Sequence, residues 1–220
     1  MPARWALAVS LALLVATPLW WIGSGANPSV GQPPWSSPGS HREAVEPIST
    51  SDGAAPTIGV HSLRFSDLEP VAAGPRPLRL VIPAIGVRAP IVSVGVGAAG
   101  AMEVPGDVAT VGWYRFGPSP SRPGSALLVG HVDSRVQGPG VFFRLSEVEP
   151  GDVVRVHLSG ERSEAFEVVS RSLVPKDRLP PAIFTRDGDP WLTLITCGGG
   201  FDRSAGAYTH NVLVAAVPRT

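Results

Sequence analysis

The chain has 220 residues, and its 18 Lys and Arg balance 18 Asp and Glu. A formal net charge of zero without a basic stripe argues against a nucleic-acid-binding face. One cysteine, Cys197, excludes an internal disulfide.

Residues 5–22 form an uncharged stretch of about 18 residues, near the lower limit for a membrane-spanning helix. Arg4 precedes it, and Trp20 and Trp21 close it as interfacial aromatics do. Residues 1–23 are expected to be a single-pass membrane anchor with the rest of the chain outside the cell. A cleaved signal peptide is the competing reading, with Ala16-Thr17-Pro18 a poor cleavage site and Gly23-Ser24-Gly25-Ala26 the better of the two. Residues 24–75 are rich in Pro, Gly and Ser and poor in large apolar side chains. Such a segment cannot offset its ordering entropy, so an extended, disordered tether is expected. Its root-mean-square span as a flexible chain is roughly 40 Å.

Residues 76–220 are long enough for one domain with a real core. They read as all-β. Short β-branched runs at residues 78–82, 89–94, 125–129, 153–158, 165–173, 191–196 and 212–217 are bounded by Gly and Pro turns. This pattern fits a sandwich or barrel. Ser159-Gly160 reads as a hairpin tip and Pro150-Gly151-Asp152 as a turn. Short helical turns are expected near residues 141–148 and 177–184, the second broken at Pro180-Pro181.

Cys197 ends an apolar run and opens the cluster Gly198-Gly199-Gly200. A lone cysteine in that setting is by default a small core residue. It becomes a nucleophile only where an imidazole or guanidinium favours its thiolate. His41 and His61 lie in the tether, and His157 sits mid-strand. His210 lies just before the last expected strand. His131 differs, because it follows Ala126-Leu127-Leu128-Val129-Gly130 and starts a polar loop. It has the same setting as Cys197: apolar strand, reactive side chain, loop. No C-x-x-C or H-x-x-x-H spacing is present, so no metal site is expected. The triple glycine lacks the Lys-Ser/Thr of a phosphate loop, and suits backbone N–H groups approaching an oxyanion.

Thr193-Leu194-Ile195-Thr196-Cys197 resembles the T-L-x-T-C motif of sortases, membrane-anchored cysteine transpeptidases. Gly130-His131-Val132-Asp133-Ser134 resembles the segment around their histidine. Further stretches from Leu80-Val81-Ile82-Pro83 to Asn211-Val212-Leu213-Val214 agree in order. Cys197-Gly198-Gly199 with Phe201-Asp202 is most similar to the actinobacterial class F branch.

The resemblance implies a closed eight-stranded β-barrel with short helices and no cofactor. It implies that Cys197 attacks an LPXTG-like sorting signal on a secreted protein and that His131 is the acid/base. A peptidoglycan precursor or other envelope amine would then accept the acyl group. The family also uses an arginine on the strand after the cysteine. Here His210-Asn211 stands at the expected place. Arg203 and Asn211 are the candidates for positioning substrate and oxyanion, with Arg135 and Arg144 as alternatives. A non-catalytic, tethered binding domain on the same fold is the reading from a different class. A third is an exported Cys/His enzyme of the L,D-transpeptidase kind, disfavoured because its His and Cys lie close in sequence. Here they lie 66 positions apart (197 − 131).

Overall fold

A computed structural model describes residues 29–36, 74–97 and 101–220. The expected membrane anchor lies outside the described residues, as does most of the expected tether. Among the described residues, no helix is long and apolar enough to cross a membrane.

Among the described residues there are eleven strands: β1 Val30–Gly31, β2 Pro77–Ile82, β3 Val87–Val94, β4 Val111–Tyr114, β5 Ser125–Val129, β6 Asp133–Ser134, β7 Gly138–Pro139, β8 Val153–Leu158, β9 Ser163–Pro175, β10 Trp191–Asp202 and β11 Ala207–Pro218. Eight of them run in the order β9-β11-β10-β5-β4-β3-β2-β8, and β8 pairs again with β9. The ring is therefore a closed barrel, with β9 extending past the end of its pairing with β8.

Alternation along the strands builds the interior. Leu80 and Ile82, Ala126 and Leu128, Val154 and Val156, Leu192 and Leu194, and Val212 and Val214 all point into one buried cluster. Burying each such side chain contributes about 1.5–3 kcal/mol, the main driving force for closing the ring. The intervening residues Leu127, Val129, Ile195 and Leu213 form a second apolar cluster outside the barrel. Ile183 and Leu179, from the segment between β9 and β10, cover it. That segment forms the short 3-10 helices Lys176–Arg178 and Pro181–Phe184, split at Leu179 and Pro180 as the prolines dictate. The helical turn expected near 141–148 is a 3-10 helix at Leu145–Glu147.

Most pairings are antiparallel, and two are parallel. β3 pairs with β4, Ile91 opposite Val111, and β5 pairs with β10, Ser125 opposite Trp191 through Val129 opposite Ile195. Parallel neighbours need a long crossover. The β3–β4 crossover contains residues 95–110, and the β5–β10 crossover contains β6 to β9.

Three features depart from the sequence reading. The short strand β4 was not expected. The β10–β11 hairpin runs well past Thr196 and begins well before Val212. Its ladder continues through Cys197–Asn211 and Gly198–His210 and resumes at Phe201–Tyr208 after a bulge. Gly199, at φ +74°, provides the left-handed backbone that the bulge requires. Finally, residues 29–36 of the expected tether are folded against the barrel. β1 adds to β9, with Val30 opposite Arg171 and Gly31 opposite Ser170, beyond the point where β8 stops covering that edge. The Leu173 amide donates to Ser29 Oγ at 3.1 Å, and Trp35 packs against the outer apolar cluster.

Gly31 is the critical residue of this strap. Its φ is +75°, and a Cβ there would sit 2.1 Å from the Val169 carbonyl oxygen. Gly31→Ala is therefore expected to release the strap. Hydrogen exchange at the Leu173 amide should accelerate at least tenfold, and protection in the barrel interior should hold. An unchanged Leu173 rate would show that the strap does not shield this edge.

Candidate active site

β5 and β10 are neighbours in parallel register, and the offset that pairs Val129 with Ile195 also separates His131 from Cys197. The ladder ends in the Gly130 amide donating to the Ile195 carbonyl at 3.1 Å. Thr196 Oγ1 then donates to the Gly130 carbonyl at 2.8 Å. Neighbouring strands lie about 4.8 Å apart, so the two chains carry His131 and Cys197 out at the same level. The T-x-T-C pattern has a local reason. Thr193 Oγ1 shares a hydrogen bond with Ser125 Oγ at 2.9 Å, and Thr196 holds Gly130, so both threonines fasten β10 to β5.

Cys197 is a free, half-buried thiol on the face that carries Thr193 and Ile195. Asn211 lies directly opposite it on β11, only 9 % exposed. Cross-strand partners share a sheet face. Among the described residues, the Asn211 carboxamide makes no side-chain hydrogen bond. Gly198 and Gly199 are held close to β11, where added Cβ atoms would meet Val212 Cγ2 at 2.6 Å and His210 Nδ1 at 2.7 Å.

His131 Nε2 lies 2.8 Å from the Pro105 carbonyl oxygen. A carbonyl only accepts, so Nε2 carries the proton and Nδ1 is the basic atom of the neutral ring. Pro105 comes from the β3–β4 crossover, so one parallel connection orients the side chain that the other delivers. More bonds join the two loops. Val141 N donates to Val108 O at 2.7 Å, Val108 N to Gln137 Oε1 at 3.2 Å, and Gln137 Nε2 to Gly106 O at 3.0 Å. Gly140 lies flat on His131, where a Cβ would meet the His131 carbonyl oxygen at 2.3 Å.

A cavity of about 340 Å³ opens at this end of the barrel. Val132, Phe142, Arg171, Cys197, Gly199 and Tyr208 are among its lining residues. Tyr208 Oη donates to Asp133 Oδ2 at 2.5 Å. This bond pushes the Tyr208 phenol up to about 12, with smaller contributions from burial, the Asp133 charge and the nearby Cys197.

The strands set Asn211 opposite Cys197 and end β5 beside it, two residues before His131, and they leave Arg203 apart. Arg203 is exposed in the turn between β10 and β11 and does not line the cavity. Arg135 is exposed too, and exposed Arg144 pairs with Glu147 at 2.6 Å. The arginine that does line the cavity is Arg171, which sequence reasoning missed. It is 4 % exposed and donates to Val148 O at 2.6 Å and Glu149 Oε1 at 3.0 Å. Its signal was a charge inside an apolar strand. Tyr208 and Asp133 were also missed. Each flanks a singled-out residue, but nothing in sequence links positions so far apart. Among the described residues, no three His, Cys, Asp or Glu side chains cluster in a way that would hold a metal ion.

A closed barrel that brings a cysteine and a histidine to its rim from adjacent parallel strands has the fold and side chains of a cysteine transpeptidase. The Sortase domain family model matches residues 80–219, well over half of the chain, and the protein belongs to the sortase family. No curated protein matches it by sequence. Sortase C1 from Streptococcus suis is similar in structure, with a TM-score of 0.51 at 20% identity over 66% of this chain and 74% of that one. Sortase C1 from Streptococcus agalactiae is similar too, with a TM-score of 0.50 at 20% identity over 65% of this chain and 67% of that one. At such identity the likeness concerns the fold.

Two measurements follow. In an alkaline ultraviolet titration, one of the two tyrosines should ionise at about 12 and fall toward the ordinary phenol value of about 10 in Asp133→Asn. Because the folded value is raised, the bond stabilises the fold fully below about pH 10. That contribution is lost as pH rises toward 12. Gly140→Ala should destabilise the domain by about 1–3 kcal/mol, because the backbone of His131 must move. A thermal melt within error of wild type would contradict that packing.

Proposed function

We propose that this sortase cleaves an LPXTG-like sorting signal through a Cys197 thioester and passes the acyl group to an amine of the cell envelope. The observation that carries this reading is the delivery of Cys197 and His131, at one level, from adjacent parallel strands. The Cys197 thiolate attacks the carbonyl carbon of the Thr–Gly amide. The carbon–sulfur bond forms, the carbon–nitrogen bond breaks, and His131 gives the leaving amine its proton. The incoming amine then attacks the thioester, His131 takes its proton, and the thiolate leaves. The neutral Asn211 carboxamide and the Gly198–Gly199 backbone amides serve the oxyanion where the family's usual arginine is absent.

The class F assignment rests on Cys197-Gly198-Gly199 and Phe201-Asp202. The membrane anchor and the extracellular placement rest on the uncharged stretch at residues 5–22. The folded strap alters the expected geometry of such an anchor. Seven steps separate Ile22 from Ser29, at most roughly 25 Å of extended chain. The barrel would be held near the membrane rather than at the end of a long tether.

The second reading, a binding domain without turnover, is favoured by Arg171 being committed to Val148 and Glu149. One experiment separates the two. The protein is incubated with a panel of LPXTG-type peptides, and Cys197 is examined by mass spectrometry. An acyl adduct on Cys197 is expected, with none in Cys197→Ala. His131→Ala should lower kcat by about 10²–10⁴-fold, and Asn211→Ala by about 10²-fold. Peptide binding without adduct or cleavage would establish the binding domain instead.

A further inference from the structure

The β5–β10 ladder stops at Gly130, so backbone pairing sets the level of His131 and Cys197 and leaves the aim of the imidazole to the loop. The loop at residues 131–141 is held firmly on one side. There it meets the β3–β4 crossover through the His131–Pro105, Gln137–Gly106, Gln137–Val108 and Val141–Val108 bonds. On the other side stands the β10–β11 hairpin that carries Cys197. Between that hairpin and the loop, among the described residues, the connecting hydrogen bond is Tyr208 to Asp133.

Asp133 lies two residues beyond His131 and begins the short strand β6, where it pairs with Pro139. Tyr208 lies on β11 opposite Phe201, just past the bulge that follows Cys197. The Phe201 and Tyr208 rings meet edge to face at 5.2 Å, which fixes the phenol independently of its hydroxyl. Both ends of the bond thus sit on paired strands. Tyr208 also lines the cavity, and its bond to a carboxylate is strengthened by charge.

We infer that Tyr208 and Asp133 are a positioning pair, a clasp that sets the His131 imidazole against the Cys197 thiol. This inference rests on the Cys–His reading above. It gives the chain a device for alignment that does not depend on an arginine. The clasp does no proton chemistry of its own and acts through His131.

The test uses two assays on the full chain. The first is alkylation of Cys197 by iodoacetamide at neutral pH, which needs no sorting peptide. His131→Ala should slow it at least fivefold. Tyr208→Phe and Asp133→Asn should each slow it about threefold or more, with thermal melts lowered by no more than a few degrees. Adding either change to His131→Ala should cost nothing further. The second assay is peptide cleavage, where Tyr208→Phe should lower kcat about tenfold and leave KM within twofold. The Tyr208→Phe/Asp133→Asn double variant should match the worse single, because the two residues form one bond. If His131→Ala slows alkylation and Tyr208→Phe does not, the clasp is overturned and the Cys–His reading stands. If His131→Ala leaves alkylation unchanged, the Cys–His reading falls and the clasp with it. Additive losses in the double variant would also overturn the clasp.

Discussion

The parallel pairing of β5 with β10 is the constraint on which the site depends. In a parallel pair both chains run out at the same end of the sheet, so two residues at matching offsets leave the ladder side by side. An antiparallel pair would have put His131 and Cys197 at opposite ends. Parallel neighbours cannot be joined by a tight turn. The chain therefore traverses β6 to β9 before β10 returns beside β5, which accounts for the long separation of the two residues in sequence. Ser125–Thr193 and Thr196–Gly130 reinforce the same seam with buried side-chain hydrogen bonds. A one-residue slip would turn Ile195 and Leu194 to the wrong faces and unpair both threonines.

The second parallel pair, β3 with β4, has a complementary role. Its crossover passes over the barrel rim and presents the Pro105 carbonyl to His131. A backbone carbonyl is a useful partner here, since its oxygen can only accept. It fixes which imidazole nitrogen is basic, and that nitrogen is the one left to face away from the crossover. Gly140 closes the arrangement from the far side by lying against the His131 backbone. The histidine is thus held by a carbonyl, a glycine contact and a loop seam.

Much of the barrel was legible in the sequence because alternation and turn chemistry are local. Residues 153–158 and 125–129 announce their strands by composition, and Gly151 and Gly160 mark the turns they make. Cys197 and His131 were legible as a pair because each ends an apolar run at the border of a loop. Features that depend on distant backbone were not. β4 is short and lies among glycines and aromatics, and pairing with β3 and β5 defines it. The glycines after Cys197 read as a strand end, yet a bulge absorbs them and the ladder resumes at Phe201. The strap reads as tether because edge pairing uses backbone groups, which any composition supplies. Pro105 was invisible for the same reason, since a carbonyl leaves no mark on a residue's identity. Tyr208 and Asp133 do carry side-chain chemistry, but their partnership exists only once the hairpin and the loop meet.

The electrostatics of the rim differ from those of a site with a guanidinium opposite the cysteine. A guanidinium opposite the cysteine would stabilise the thiolate and the oxyanion by charge. This chain places a neutral carboxamide there, and its buried arginine lines the same cavity. Arg171 holds Val148 and Glu149 and so props the wall of the cavity from beneath. What remains near Cys197 is a set of directed dipoles: the Asn211 carboxamide, the backbone amides of the glycine bulge and the Tyr208 phenol bound to Asp133. Dipoles act over shorter distances than a full charge, so their contribution depends more steeply on placement. A site built from them requires tighter positional control than one built around a guanidinium. The glycine contacts, the Pro105 carbonyl and the bond between Tyr208 and Asp133 are the elements that provide it.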